Sequence, residues 1–377
     1  MSYPIATAPI GLYVHVPFCL QKCDYCSFYS RSGRLQEIPA FISALQQEID
    51  GAMRRYGPLP VDTLYLGGGT PSLLDTASLA LLLKGLRRSF ALAETSEITL
   101  EVNPYTVDGD KAAAWLDMGI NRVSVGVQAL REEDLVFLGR LHSADQALAS
   151  LDCLQQSGFT RLNADLLFGI PGQSVHHFRE GLERLIQTGA DHVSVYGLSI
   201  EENTPLSDRH RMGLFHKIND EVYEALFLTA HAFLEGAGFS HYEISNFAKP
   251  GGESRHNLNC WTGHDFLGFG PAAHSKIGTR RFANPSDLSA YLKNPFDRSF
   301  DTPLTEEQVR LERLMLGLRC REGVDRADVR RPDHLEILYK RHLVAFSGER
   351  LRLTPSGMLL MDEIVLYLEG EKCSTSK

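Results

Sequence analysis

Six runs rich in β-branched and aromatic residues set the frame of this chain: GLYVHVPF from Gly11, DTLYLGG from Asp62, EITLEVN from Glu97, NRVSVGVQ from Asn121, RLNADLLFGI from Arg161 and DHVSVYGLSI from Asp191. A helix-like segment follows each. In Glu37 to Arg55, Ala77 to Leu92, Ala144 to Gln156 and Ser174 to Thr188, apolar residues recur at three- and four-residue spacing. Strand then helix, six times over, predicts parallel βα units of an α/β fold. Such units spread into an open doubly wound sheet or curl into a partial barrel. In either case the chemistry gathers at the carboxyl ends of the strands.

Beyond the sixth strand the sequence predicts a helix over Asp220 to Ala237 and a strand in HYEISNFA from His241. A Gly- and Pro-rich bridge without regular periodicity runs from Lys249 to Ser275, too long for idle packing. From about Thr302 two helical segments (Glu306 to Leu318 and Asp333 to Arg341), the hairpin-like LVAFSGERLRLT and a helix from Pro355 to Leu368 resemble a winged-helix module. The expected organisation is a core over 1–248, a connecting segment over 249–300 and a small α+β domain over 301–377. From Asp301 onward 13 Lys and Arg face 14 Asp and Glu, no electrostatic footprint for nucleic acid, so the module is expected to dock or to cover. The formal charge of −9 agrees. No apolar run reaches the length of a membrane span, and MSYPIATAPIG lacks the features of a signal peptide. The expected compartment is the cytoplasm.

Three of the seven cysteines cluster as C-x3-C-x2-C, at Cys19, Cys23 and Cys26; Cys153, Cys260, Cys320 and Cys373 are scattered. An odd number in a long chain is no disulfide framework. Three thiolates on a loop leaving the first strand could hold zinc with a histidine, yet there is no second C-x2-C knuckle. A [4Fe–4S] cluster fits better, because three cysteines leave one iron open to an exogenous ligand. Three further features end strands. GGGTP, Gly67 to Pro71, serves as a tight turn or lets backbone groups approach a ligand closely. EVNP places Glu101 and Asn103 on one strand face. NADLLFGIPGQ sets Asp165 in an apolar run, where a carboxylate needs a partner, with Arg140 of LGRLH as a candidate.

The combination YVHVPFCLQKCDYCSF, GGGTPSLL, EVNP, SVGVQ, LGRLH, NADLLFGIPGQ and HYEISNFAKPG resembles, over essentially the whole chain, one branch of the radical S-adenosylmethionine (SAM) superfamily. That branch holds the oxygen-independent coproporphyrinogen III oxidases and their heme-chaperone paralogues. The resemblance implies a parallel (βα)6-type partial barrel with a winged-helix-like carboxy-terminal domain. It makes Cys19, Cys23 and Cys26 the cluster ligands and gives Tyr13, Tyr25, Gly68 and Glu101 to the cluster-bound SAM. Gly69, Thr70, Gln128, Arg140 and Asp165 match a second SAM site of the oxidases.

Two departures separate the paralogues. The oxidases resemble C-x3-C-x2-C-x-C, and here Phe28 stands at the last position. The chain also lacks their extended segment before the motif. A heme-linked signature of the chaperones, H-N-x-x-Y-W, matches HNLNCW at His256, Asn257 and Trp261, with Cys260 in place of tyrosine. Imidazole or thiolate can ligate heme iron and an indole can stack on the macrocycle. The resemblance thus implies a heme chaperone with cluster, SAM and heme as cofactors, handing heme to respiratory-chain clients. An electron donor, and a cluster-dependent homodimer, belong to the same expectation. The rival readings are a porphyrinogen-decarboxylating oxidase, a related radical SAM methyltransferase and a zinc-stabilised binding protein.

Overall fold

In each of the first six strands residues alternate between two environments. The computed structural model describes residues 8–370, and these strands are β1 (Ile10–Val16), β2 (Pro60–Gly68), β3 (Ala91–Val102), β4 (Arg122–Gln128), β5 (Leu162–Phe168) and β6 (His192–Gly197). One set of side chains, including Leu64, Leu66, Leu100, Val123, Val125 and Ala164, is buried in the main apolar core. The other set is polar, including Thr63, Glu97, Thr99, Ser124, Asn163, His192 and Ser194. Parallel strands covered on both faces normally read as continuous apolar runs. A polar face therefore marks a lumen, enclosed by side chains that bond one another.

All six strands pair in parallel and in sequence order, without the reversal of a doubly wound sheet. That progression is the winding of a partial barrel. The helices α1 (Ile38–Tyr56), α2 (Thr76–Ser89), α3 (Gly109–Asp117), α4 (Glu132–Phe137), α5 (Ala144–Gln156) and α6 (Val175–Ile186) follow the strands. Side-chain caps from Asp75, Asp108, Ser143 and Ser174 fix where four of them begin. Helix α2 stops at Ser89, short of the expected Leu92, because β3 already begins at Ala91.

Beyond β6 come α7 (Pro205–Arg211) and α8 (Asp220–Gly236). HYEISNFA is not one strand but two, β7 (Ser240–Glu243) and β8 (Asn246–Ala248), paired antiparallel. Glu243 makes the reversal, its carboxylate accepting from the Ser245 amide at 3.1 Å and from the Asn246 side chain. The bridge expected to be irregular is largely regular. It contains α9 (Arg255–Trp261), β9 (Phe266–Phe269) and the start of β10 (His274–Ile277), followed by β11 (Arg280–Ala283), α10 (Leu288–Lys293) and β12 (Phe300–Pro303). β9 pairs in parallel with β1, so the chain extends the sheet at both edges, in the order β12-β11-β10-β9-β1-β2-β3-β4-β5-β6-β8-β7. Short elements with few apolar residues left no periodicity to read.

The carboxy-terminal module holds α11 (Glu306–Arg319), β13 (Val324–Asp325), α12 (Leu335–Lys340), β14 (Val344–Ser347), β15 (Arg350–Leu353), α13 (Pro355–Met358) and α14 (Met361–Glu369). The single closing helix expected from Pro355 is therefore broken between Met358 and Met361. The three strands form their own antiparallel sheet over a separate core that includes Leu314, Leu318, Leu351 and Leu368. Cys373 lies outside the described residues.

The β9–β12 extension is held to α1 by one buried carboxylate. Glu48 accepts from the Gly270 amide at 2.9 Å, the Tyr291 hydroxyl at 2.8 Å and the Asn284 side chain at 2.7 Å, with Arg298 at 3.5 Å. Removing it leaves buried donors without an acceptor. Glu48→Ala is expected to cost about 3–5 kcal/mol of stability and to raise hydrogen exchange in the Gly270 turn and α10. Thermal melting and exchange mass spectrometry check both effects.

Candidate functional site

The two ends of the lumen carry different residues. At the carboxyl ends of the strands lies a cavity of about 440 Å³. The loop after β1 brings Cys19, Cys23, Tyr25 and Cys26 to it, β2 brings Gly68, Gly69 and Thr70, and β3, β4 and β5 bring Glu101, Gln128 and Asp165, with Arg140 beyond α4. All eleven were expected from the sequence. Tyr13 is not in the cavity wall; its ring lies 6.2 Å from that of Tyr65 and its hydroxyl bonds His15 Nδ1 at 3.0 Å. Tyr65, Asn103, Ser124 and Tyr196 also line the cavity. Tyr65, Ser124 and Tyr196 are additional to the expectation, and the two-residue alternation that aims Thr63, Glu97 and Asn163 inward was the signal for them.

The thiols sit among donors. Arg140, half-buried here, donates to Cys23 Sγ at 3.2 Å and to the Gly126 carbonyl at 2.9 Å, and its Nε has no partner among the described residues. Thr70 approaches Cys19 Sγ at 3.6 Å. Burial raises the Cys19 and Cys26 thiols above the ordinary range, with hydrogen bonds and nearby cations opposing it. No three His, Cys, Asp or Glu side chains among the described residues converge tightly enough for one metal ion. The thiols ring a cavity instead, which suits a cluster that offers each cysteine a different iron.

Glycines keep the rim low. A Cβ at Gly69 would meet the Phe18 carbonyl at 2.6 Å, and Gly68 has φ +109°, so the GGGTP turn requires glycine as well as using it. Gln128 has φ 67°, a left-handed conformation that a non-glycine residue rarely takes, and its side chain enters the cavity wall. Glu101 accepts from the Tyr65 hydroxyl at 2.8 Å and the Gly68 amide at 3.1 Å. Phe28, where the oxidases carry a cysteine, is 68% exposed at the cavity mouth.

A hydrogen-bonded chain descends from this cavity through the lumen. Asp165 accepts from Ser124 at 3.0 Å and from Asn163 at 2.8 Å. Asn163 Oδ1 can only accept, so His192 Nδ1 donates to it at 2.6 Å and His192 Nε2 accepts from the Tyr242 hydroxyl at 2.8 Å. Burial holds His192 well below its usual pKa, as this neutral tautomer requires. Tyr242 in turn accepts from the Ser254 amide at 3.3 Å, and Ser254 caps α9.

Helix α9, which carries HNLNCW, closes the amino-terminal end of the lumen. The backbone amides of Arg255 and His256 donate to Glu97, and Asn259 reaches Asp62. His256 is buried, bonded to Thr63 at 2.9 Å and stacked on Tyr65 at 5.1 Å. Its imidazole is pushed down to about 4 by burial. Trp261 instead lines a second cavity, of about 810 Å³, facing α11. Cys260 lies beside Lys276 and Arg281, its thiol pushed up to about 11 by burial. The structure therefore brings the cluster and SAM candidates other than Tyr13 together but divides the HNLNCW residues between helix faces, with His256 turned toward the sheet.

The radical SAM superfamily model matches residues 13–203 and the HemN C-terminal domain model residues 304–360. The heme chaperone HemW of Mycobacterium tuberculosis is 35% identical over 97% of this chain and 96% of its own length. HemW of Bacillus subtilis is 32% identical over 95% and 99%. The solved structure of coproporphyrinogen III oxidase (HemN) from Escherichia coli, a radical SAM enzyme, superposes with a TM-score of 0.83 at 25% identity, covering 96% of this chain and 90% of its own.

Burial, reinforced by Asp165 and opposed by the bonds from Tyr65 and Gly68, pushes the Glu101 carboxyl up to about 7. The folded chain then binds this proton more tightly than the unfolded chain. That stabilisation is complete below the ordinary carboxylate range and is lost as pH rises through about 7. The melting temperature of the ligand-free chain is expected to fall between about pH 5 and about pH 8, and Glu101→Gln to flatten that fall. Part of the slope remains in the variant, since burial also pushes Glu48 up to about 7.

Proposed function

The chain belongs to the radical SAM superfamily and, within it, to the family of the heme chaperone HemW, and on that premise we propose that it binds heme and passes it to heme-requiring proteins, with respiratory-chain proteins as the clients. Cys19, Cys23 and Cys26 would hold a [4Fe–4S] cluster. Such a cluster, with SAM on its open iron, supplies one-electron cleavage of the SAM sulfonium. Around it Gly68 and Gly69 let the backbone approach the methionine end of SAM, and Glu101 offers acceptor oxygens to the ribose. Arg140 holds positive charge beside Cys23 and Asn103, which opposes the negative charge of thiolates. Gln128 and Asp165 would face a second SAM. Tyr13 would act through Tyr65, on which it stacks.

The observation that carries the chaperone reading is Phe28. An exposed phenyl group occupies the place of the oxidases' additional cysteine, in a chain that aligns with the chaperones over 95% to 97% of its residues. Helix α9 is the proposed heme-binding element. His256 would act on heme by anchoring α9 to Thr63 and Tyr65, and would reach the iron only if α9 left the sheet. Asn257, Cys260 and Trp261 are the other members of that element. An external reductant and a cluster-dependent homodimer complete the proposal.

Anaerobic titration of the cluster-reconstituted chain with hemin, read in the Soret band, tests it. Saturable, roughly one-to-one binding is expected, weakened in His256→Ala without a Soret shift if the ring anchors the helix. A Cys260→Ala variant shows a shift only if its thiol meets the iron. No saturable binding by the intact chain, together with protoporphyrinogen formed from coproporphyrinogen in the presence of SAM and reductant, would replace the chaperone with the oxidase.

A further inference from the structure

The cavity of about 810 Å³ beside α9 is larger than the one ringed by the thiols, and it lies between the barrel and the carboxy-terminal module. Its apolar walls come from both sides: Leu258 and Trp261 on α9, Tyr242 on β7, and Val309 and Leu316 on α11. The module is fixed along this seam. Ile244 donates to the Arg319 carbonyl at 3.1 Å, Arg321 donates to the Tyr242 carbonyl at 2.9 Å, and Arg319 pairs with buried Glu243 at 2.6 Å. The Arg319 guanidinium covers the Trp261 ring at 4.3 Å. The module is thus a wall of the cavity, held by backbone hydrogen bonds and a buried ion pair.

Three features describe what would fill it. Its size is that of a site for a cofactor-sized molecule, and its surface mixes apolar wall with charged groups of both signs. The Trp261 indole nitrogen is buried with no acceptor among the described residues. Arg313 and Arg321 stand in its lining; Arg313 is 65% exposed and only 3.9 Å from Asp328, while Arg321 bonds the Ser240 hydroxyl. The lining also holds four acids, Glu253, Glu312, Glu322 and Asp328, of which Glu312 is tied to Arg281 and Asp328 faces Arg313. A flat, largely apolar molecule fits the apolar part of that wall, with Arg313 and Arg321 as the cations that any carboxylates on it would meet.

We infer that this cavity receives the porphyrin, with Leu258, Trp261 and Leu316 against the macrocycle and Arg313 and Arg321 toward its propionates, so that the carboxy-terminal module is half of the heme site. The inference rests on the proposed heme binding and gives it a place. It also gives the module a role its balanced charge did not suggest. Because Tyr242 is both a wall of this cavity and the end of the chain from Asp165, a ligand here touches a residue bonded, through His192 and Asn163, to the thiol-ringed cavity.

Two variants of the full chain test it by hemin titration: Leu316→Trp, which fills the cavity, and the double change Arg313→Glu with Arg321→Glu, which reverses the charge at its edge. Both are expected to weaken binding by about tenfold or more, with cluster content unchanged. The charge reversal lies outside the module's apolar core and keeps the test valid if the filled variant melts early. Wild-type affinity in the charge-reversed chain and in a folded Leu316→Trp chain would overturn the cavity assignment while leaving heme binding standing. Absence of saturable binding in the unaltered chain would instead remove the heme-binding proposal on which the inference rests.

Discussion

Everything in this molecule depends on a parallel sheet whose inner face is polar. Glu101, Asp165, Asn163 and His192 lie inside the arc of strands, where an unpaired polar group costs far more than a hydrogen bond returns. The strands answer this internally. Asn163 serves Ser124, Asp165 and His192 at once, and Tyr65 serves Glu101. Burial then holds His192 neutral and raises the carboxyls of Glu101 and Asp165, so the lumen carries less charge than its composition suggests. A carboxyl pushed up to about 7, as at Glu101, is suited to meeting a cationic ligand, whose arrival would draw it back to the charged form.

Helix α9 and the module follow from the same constraint. A polar lumen must be closed at the end where no ligand enters, and Glu97 does this by accepting the first amides of α9, a helix whose amino-terminal end carries unsatisfied donors. His256 is used in that closure, against Thr63 and Tyr65. The opposite face of the helix, with Leu258 and Trp261, is then left for the module. One short helix therefore seals the barrel and forms a cavity wall, and Ser254 at its start is bonded to the chain of side chains that begins at Asp165.

Much of this was legible before any coordinates. β-Branched runs followed by helical periodicity located the six βα units, since both signals are local and strong. The cysteine spacing and GGGTP located the mouth of the barrel, because chemistry at strand ends needs those residue types whatever the packing. What stayed hidden was set by tertiary contacts. Glu243 turns an apparent strand into a hairpin, and β9 earns its place by pairing with β1, far away in sequence. The direction of His256 depends on Thr63, 193 positions earlier. The HNLNCW match named His256, yet only the sheet decides that it points inward.

The central claim is that three thiols around a glycine-rimmed cavity hold a cluster with one iron left for SAM. Electron paramagnetic resonance of the anaerobically reconstituted and reduced chain, before and after addition of SAM, tests it most directly. The account predicts a [4Fe–4S] signal whose g-values move when SAM is added, and loss of that signal on replacing Cys19, Cys23 or Cys26 with alanine. A chain that takes up zinc in place of iron, or a cluster spectrum indifferent to SAM, would contradict it.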